Sequence, residues 1–288
     1  MAAFRAIPDD LSPAAVAGVD AMLAAIRQDD GVHIPLAIES GSRAWGFPSP
    51  DSDYDCRFIY VRPARQHLTV WPRRDVIERP ISDELDVNGW DLAKALRLAL
   101  KGNAVVIEWL QSPIAYCVDP VFRDDLLAFA ERFTDRTRLA SHYLHLARRQ
   151  VARHLVEPQN VALKKIFYAL RPAAALRWLR LHPDRTLPPM HFPTLMGQGD
   201  LSSEVRDLVD DLMAQKAVSR EMGTGLMPAP ILAFVQEELD RAAGLDVLEL
   251  RRVTPQARSA ADKLFEATTL RLDSSQRTVA PPTELASC

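Results

Sequence analysis

Hydrophobic and polar positions along the chain follow two successive periods. Over the first 90 residues one helical repeat gives way to segments of period two, and from about residue 90 onward the helical period takes over. Ser12 followed by Pro13 marks a helix start, because the hydroxyl caps free N–H groups and proline lacks only an N–H that the first turn leaves unused. Val16, Val19, Leu23 and Ile26 then form one apolar stripe to about Gln28. "HIPLAIES" sets Ile34, Leu36 and Ile38 against Pro35, Ala37 and Glu39, predicting a strand with Pro35 at its beginning or at a sheet edge. "DYDCRFIYV" predicts a second strand, with Tyr54, Cys56, Phe58 and Tyr60 on one face and Asp53, Asp55 and Arg57 on the other. "DELDVNG" (83–89) predicts a third, in which Glu84, Asp86 and Asn88 share a face.

Beyond this point the spacing predicts helices over 91–101, 104–111, 121–132, 136–156, 160–180, 203–221, 229–243 and 255–272. A Pro-rich loop over 182–195 lies among them. The expected fold class is α+β: an N-terminal α/β domain over 1–118, an all-α helical domain over 119–274, and a disordered tail over 275–288.

Composition narrows the function classes. Apolar residues make up 48% and charged residues 25%, and the net charge of −3 supplies no global attraction to nucleic acid or membrane, so any polyanion site rests on local basic clusters. Cys56, Cys117 and Cys288 are scattered without C-x-x-C spacing, which supports neither a disulfide framework nor a zinc ribbon. The N-terminus lacks a basic segment followed by an apolar signal core, and no apolar run approaches the roughly 18 residues of a membrane span. A cytoplasmic protein without a membrane partner is expected.

Chemistry concentrates in "ESGSRAWGFPSPDSDYDCRFIY", residues 39–60. Asp53 and Asp55 enter a strand otherwise built of Tyr, Phe, Ile and Val, where acidic residues are disfavoured. Two carboxylates at i and i+2 of a strand converge on one cation, and a bound Mg²⁺ relieves their repulsion while keeping positions open for phosphate. Asp51 reads as a turn residue in "SPDSD". A calcium loop fails because its sixth position is Cys56 rather than Gly and its twelfth is Arg62 rather than Glu. In "SGSR", Gly41 permits a backbone conformation closed to other residues, and the turn offers N–H groups and a hydroxyl to phosphate oxygens.

Gly-Ser, about ten intervening residues and an acidic pair at alternate strand positions resemble the signature of the DNA polymerase β-like nucleotidyltransferases. More narrowly, the stretch from "ESGSRAWGFPSPDSDYDCRFIYV", "WPRRDVIERPISDELDVNGWDLAKAL", "KGNAVVIEWLQSPIAY" and "KKIFYALRPAAALRW" is similar to the bacterial RNA-ligase-associated, or YcgL-like, predicted nucleotidyltransferases. The resemblance implies a polymerase-β-like α/β domain followed by helices, and transfer of a nucleoside monophosphate from an NTP to an acceptor hydroxyl with release of pyrophosphate. It implies Mg²⁺ or Mn²⁺ held by Asp53, Asp55 and a third carboxylate on a neighbouring strand. Asp86 is the first choice and Glu84 the fallback, while Asp91 is expected to cap the next helix. Gly41 and Ser42 would position the triphosphate, and Arg43 would add a charge-assisted contact.

Lys164, Tyr168 and Arg171 share one face of the 160–180 helix beside an apolar stripe of Leu163, Phe167, Leu170 and Ala174, and are the candidates for the far wall of the nucleotide site. The same spacing fits a solvated basic face. Pro172 should kink or restart that helix. "RRQVARH" (148–154) is a second basic stretch, read as surface, that together with these cations would suit an RNA end. His142, His145 and His154 show no metal-ligand spacing. Trp90, Trp109 and Trp178 read as core, whereas Trp45 follows the Gly-Ser turn and could pack against a nucleotide. The acceptor is open between an RNA end and a protein side chain. The competing readings are a catalytically idle nucleotide-binding module and a metal-dependent phosphohydrolase, the latter lacking the further His or Asp ligands such enzymes use.

Overall fold

The computed structural model describes residues 4–81, 84–247 and 252–277. Its N-terminal part comprises β1 (Phe4–Ala6), α1 (Pro13–Asp29), β2 (His33–Glu39), α2 (Ser42–Trp45), β3 (Tyr54–Val61), β4 (Val76–Glu78) and β5 (Leu85–Asp91). Then follow α3 (Leu92–Leu100), α4 (Ala104–Gln111), β6 (Ala115–Val118), α5 (Pro120–Phe133), α6 (Arg136–His154), β7 (Val161–Ala162) and α7 (Leu163–Leu181). The chain ends with α8 (Phe192–Gly197), α9 (Ser203–Val218), β8 (Thr224–Gly225), α10 (Ala229–Ala242) and α11 (Pro255–Arg277). The α+β class is as expected, with strands gathered early and helices dominating afterwards. The expected disordered tail starts inside α11, which runs to Arg277, and residues 278–288 lie outside the described residues.

Six strands form one sheet in the order β1-β6-β2-β3-β5-β4. β3 and β5 are parallel, and the other neighbours are antiparallel. The three expected strands are β2, β3 and β5 at the centre. The strands of this sheet that were not anticipated, β1, β4 and β6, have 3, 3 and 4 residues, too short to display a period, and so are β7 and β8, which pair separately with 2 residues each. β6 lies between the expected helices 104–111 and 121–132, at the end of the expected α/β domain.

Pro35 corrects the sequence reading, since it lies inside β2, an interior strand, rather than at a strand start or sheet edge. The ladder to β3 shifts register between His33 and Leu36, around the residue that has no N–H to donate. Ile34 consequently packs on the α1 side of the sheet, while Leu36 and Ile38 pack on the opposite side. β3 has no such break. Tyr54, Cys56, Phe58 and Tyr60 meet α1 residues Val19, Leu23 and Ile26, and Ile59 and Val61 face the other way.

α1 begins as expected, with the Ser12 hydroxyl accepting from Ala15 N at 3.4 Å. The helical half covers the other face of the sheet, and one apolar core runs from Leu36, Ile38, Ile59 and Val61 into α3 to α7 and α10. α7 continues unbroken through Pro172, so the expected restart does not occur. α8 begins inside the expected Pro-rich loop and runs past its end to Gly197. Trp109 and Trp178 are buried and the Trp90 ring lies 4.0 Å from that of Trp109, consistent with core roles. Among the described residues, no helix is long and apolar enough to cross a membrane.

Candidate active site

Strand direction decides which residues meet. Because β3 and β5 run parallel, their first residues lie at the same end of the sheet, and antiparallel β2 finishes there too. The Gly41–Ser42 turn after β2, the aspartates at the start of β3 and Asp86 at the start of β5 are therefore neighbours. Asp55 and Asp86 are direct partners in the parallel ladder. Asp53 stands just before β3 rather than within it, so the strand argument for convergence holds for Asp55 but not for its companion. Both nevertheless line one cleft of about 440 Å³, together with Gly41 and Ser42.

Gly41 is needed at its position, though not for the reason expected. Its backbone is extended (φ −72°), a conformation open to any residue, but a Cβ there would collide with the Asp55 carboxylate. Glycine thus lets the turn close onto the acid. Ser42 donates to Ser52 Oγ at 2.8 Å, tying the two ends of the intervening loop. Arg43 serves the same loop: it donates to the carbonyls of Ser52 (2.6 Å) and Asp53 (3.3 Å) and lies over the Tyr54 ring. It does not line the cleft.

Behind the acids lies a buried support. Glu39, fully enclosed, accepts from the Asp55 backbone N–H at 2.8 Å and from the Tyr116 hydroxyl at 2.6 Å. Burial raises its carboxyl above the usual range, while those two donors pull it back. Burial likewise raises Asp55, and Arg57 opposes the rise while the charges of Asp86 and Asp53 add to it. Arg57 spans the ladder, with Nη2 3.1 Å from Asp55 Oδ1 and 2.7 Å from Asp86 Oδ2, and Nη1 bonded to the carbonyl oxygens of Asp86 (2.8 Å) and Cys56 (3.1 Å). The other two carboxylates considered at the third position stand at opposite ends of β5. Glu84 is exposed before β5, and Asp91 is buried at its far end, where it caps α3 through Ala93 N (2.8 Å).

The opposite wall is basic and helical. α7 contributes Lys164, Lys165, Tyr168 and Arg171, α6 contributes Leu146 and Gln150, and α9 contributes Lys216. Lys164 is ion-paired to Glu221 at 3.1 Å. Arg171 is held by Glu108, which also accepts from the Tyr143 hydroxyl at 3.4 Å, and its guanidinium lies 3.9 Å from the Trp45 ring centre. Trp45 thus lines the cleft with a cation against its ring. Lys216 is buried and donates to the Phe47 carbonyl at 2.6 Å, and burial lowers its ammonium to about 8.

The sequence reading missed Lys165, Lys216, Glu39 and Glu108. Two of them carried a signal. On α9 the buried positions Val205, Val209 and Leu212 continue at helical spacing to Lys216, a charge where the stripe calls for an apolar residue. Glu108 similarly stands between Ile107 and Trp109 in an almost wholly apolar helix.

The acidic end suits a hard cation such as Mg²⁺ or Mn²⁺, since the acidic side chains lining it, Asp53 and Asp55, offer carboxylate oxygens. Among the described residues, no group of three or more His, Cys, Asp or Glu side chains is gathered to hold a metal ion.

Comparison with known proteins gives the same direction. Residues 17–267 match the model of the RNA repair pathway DNA polymerase beta family. The chain is also 40% identical over 216 residues to the uncharacterized protein YcgL of Bacillus subtilis (strain 168), covering 75% of this chain and 82% of the relative. The clustered turn and acids therefore sit in a chain that belongs to the RNA repair pathway DNA polymerase beta family.

Proposed function

We propose that this protein is a nucleotidyltransferase that moves a nucleoside monophosphate from an NTP to an acceptor hydroxyl, with an RNA end as the acceptor class. The observation that carries the reading is the cleft itself: Asp53 and Asp55, with Gly41 packed against the latter, face Lys164, Lys165, Lys216 and Arg171 across about 440 Å³. One wall is made to gather cations and the other to attract phosphate. The family description, with its reference to RNA repair, supports the acceptor class.

In the reaction, a bond forms between the acceptor oxygen and the α-phosphorus, the α–β bridging P–O bond breaks, and pyrophosphate leaves. Asp53, Asp55 and Asp86 would hold Mg²⁺ or Mn²⁺, which neutralises charge on the phosphates and the attacking oxygen. Asp86, the ladder partner of Asp55, would take the proton of the acceptor hydroxyl. Gly41 and Ser42 bring the turn against the triphosphate, and the cations of α7 and α9 hold its charge. Tyr168 and the Trp45 ring offer flat surfaces to the nucleoside.

The test is incubation of the purified protein with each α-³²P-labelled NTP, Mg²⁺ or Mn²⁺ and a pool of small RNAs. Label on RNA, lost in Asp53→Asn while the circular dichroism spectrum is kept, is the expected result. Label on the protein would move the acceptor to a side chain, and NTP binding without transfer by the intact protein would favour a regulatory module.

A further inference from the structure

Helix α6 carries charge of one sign only. From Arg136 to Val156 the sequence holds five arginines and three histidines and no Asp or Glu, and α7 is equally free of acids, in a chain whose net charge is −3. On α7 most cations have carboxylate partners from other elements: Lys164 has Glu221, Arg171 has Glu108, and Arg177 and Arg180 share Glu238. Arg149 and Arg153 on α6 are exposed, and no ion pair holds either among the described residues. They belong to a stripe. Arg138, His142, His145, Arg149 and Arg153 recur at steps of three or four, none of them is buried, and the stripe borders Leu146 and Gln150, which line the cleft. Burial and the positive charges of Arg149, His145 and Arg171 hold the His142 imidazole below its usual range, so the charges that reach it are all positive. A helix face that merely meets water usually pairs opposite charges at these spacings, whereas like charges there weaken the helix. From Arg153 the stripe runs about 22 Å along the helix to Arg138. There Arg138 lines a second cavity, of about 350 Å³, together with Arg132 and Arg252.

We propose that this stripe of α6 is a track for the phosphate backbone of single-stranded RNA, leading from the cleft to the cavity at Arg132, Arg138 and Arg252. The proposal rests on the RNA-acceptor reading above and adds where the strand lies beyond its reacting end. Arg153 and Arg149 take the phosphates nearest the cleft, and Arg138 with its neighbours takes those farthest from it. A polyanion whose charges recur along a line relieves the repulsion of the whole stripe, which a mononucleotide confined to the cleft does not. The stripe is one helix ridge wide, the width of a single strand, and it offers cations without base-reading groups, so it positions RNA without selecting its sequence.

The experiment is fluorescence anisotropy of the full chain with labelled single-stranded RNAs of four and sixteen nucleotides over a series of salt concentrations, without NTP. The wild type should bind the longer RNA about tenfold or more tightly than the shorter, because only the longer one reaches along the stripe. The Arg149→Gln, Arg153→Gln double variant should lose most of that preference, and its slope of log affinity against log salt should be shallower by about 1.4, the value for two phosphate contacts on a single strand. A control with Arg65→Gln and Arg73→Gln removes two exposed cations that follow β3 at the end of the sheet away from the cleft, and it should keep both preference and slope. Equal affinity of the wild type for the two lengths overturns the track even if the double variant fails to fold. So does an unchanged slope in the folded double variant, an equal loss in the control, or a polyglutamate peptide bound as tightly as the longer RNA, which would point to an acidic protein. Any of these beside label transfer to RNA leaves the nucleotidyltransferase reading standing, whereas no RNA binding by the wild type at low salt overturns the track and the RNA acceptor together.

Discussion

The two walls of the cleft reach the same place by different routes. The acidic wall comes from one short run of chain, Gly41 to Asp55, while Asp86 is paired with Asp55 in the parallel ladder but lies outside the cleft lining. The basic wall is assembled from α7 and α9, and its key side chains are held by partners distant in sequence: Arg171 by Glu108, and Lys216 by the Phe47 carbonyl. A strand ladder and a tight turn fix geometry locally, so acids placed on them are rigid. The helix-borne cations are held by single ion-pair or hydrogen-bond partners from elsewhere in the chain, which would suit a surface that accepts and releases phosphate under the proposed function. The difference predicts that acidic-wall changes strike turnover and basic-wall changes strike binding.

Asp55→Asn should show the strongest contrast, lowering single-turnover transfer by roughly a thousandfold or more with nucleotide affinity little changed. Its melting temperature should not fall. A carboxyl whose folded value is raised opposes folding as pH climbs from the unfolded value through the raised one, and Asn removes that opposition. A large loss of stability at neutral pH would mean that the clamp with Arg57 outweighs burial. Gly41→Ala comes next. Its Cβ must displace the Asp55 carboxylate, and a loss of about a hundredfold in rate with about 1–3 kcal/mol of stability is expected from chemical denaturation and kinetics. Normal activity there would break the argument for close approach.

The smallest effect belongs to the basic wall. Lys216→Met should weaken NTP binding about tenfold at pH 7 without a comparable change in the chemical step. In the wild type, affinity should fall as pH rises through about 8, because the ammonium loses its proton there. That slope should be missing in the variant, and equal slopes in isothermal titration would remove Lys216 from the phosphate site.

The sequence was readable where period and local chemistry agree. The Ser12-Pro13 start of α1, the alternation in β3 and most of the long helices follow from patterns that neighbouring residues impose on one another. The Gly-Ser turn and Asp55 were visible for the same reason, since an acid in an apolar strand conflicts with its surroundings. What escaped depends on partners far along the chain. The face exchange at Pro35 arises from pairing on both sides of an interior strand, and β1, β4 and β6 exist only because the sheet extends to take them. Glu39 gives no local clue that it will support the Asp55 backbone, because Tyr116, the other half of that support, comes from β6.

Phe47 carries a further consequence. Its ring stacks on Phe167 at 4.7 Å and meets Phe192 edge-on at 5.4 Å, while its carbonyl is held by Lys216. The midpoint of the span from Gly41 to Asp53 is thereby riveted to the helical half, and Ser42 with Ser52 laces its ends. Such a span works as a gauge whose length is set by the gap it bridges. Insertions between Phe47 and Asp53 would have to bulge outward or shift the acids, so the interval in this signature records a mechanical tolerance as much as a chemical one.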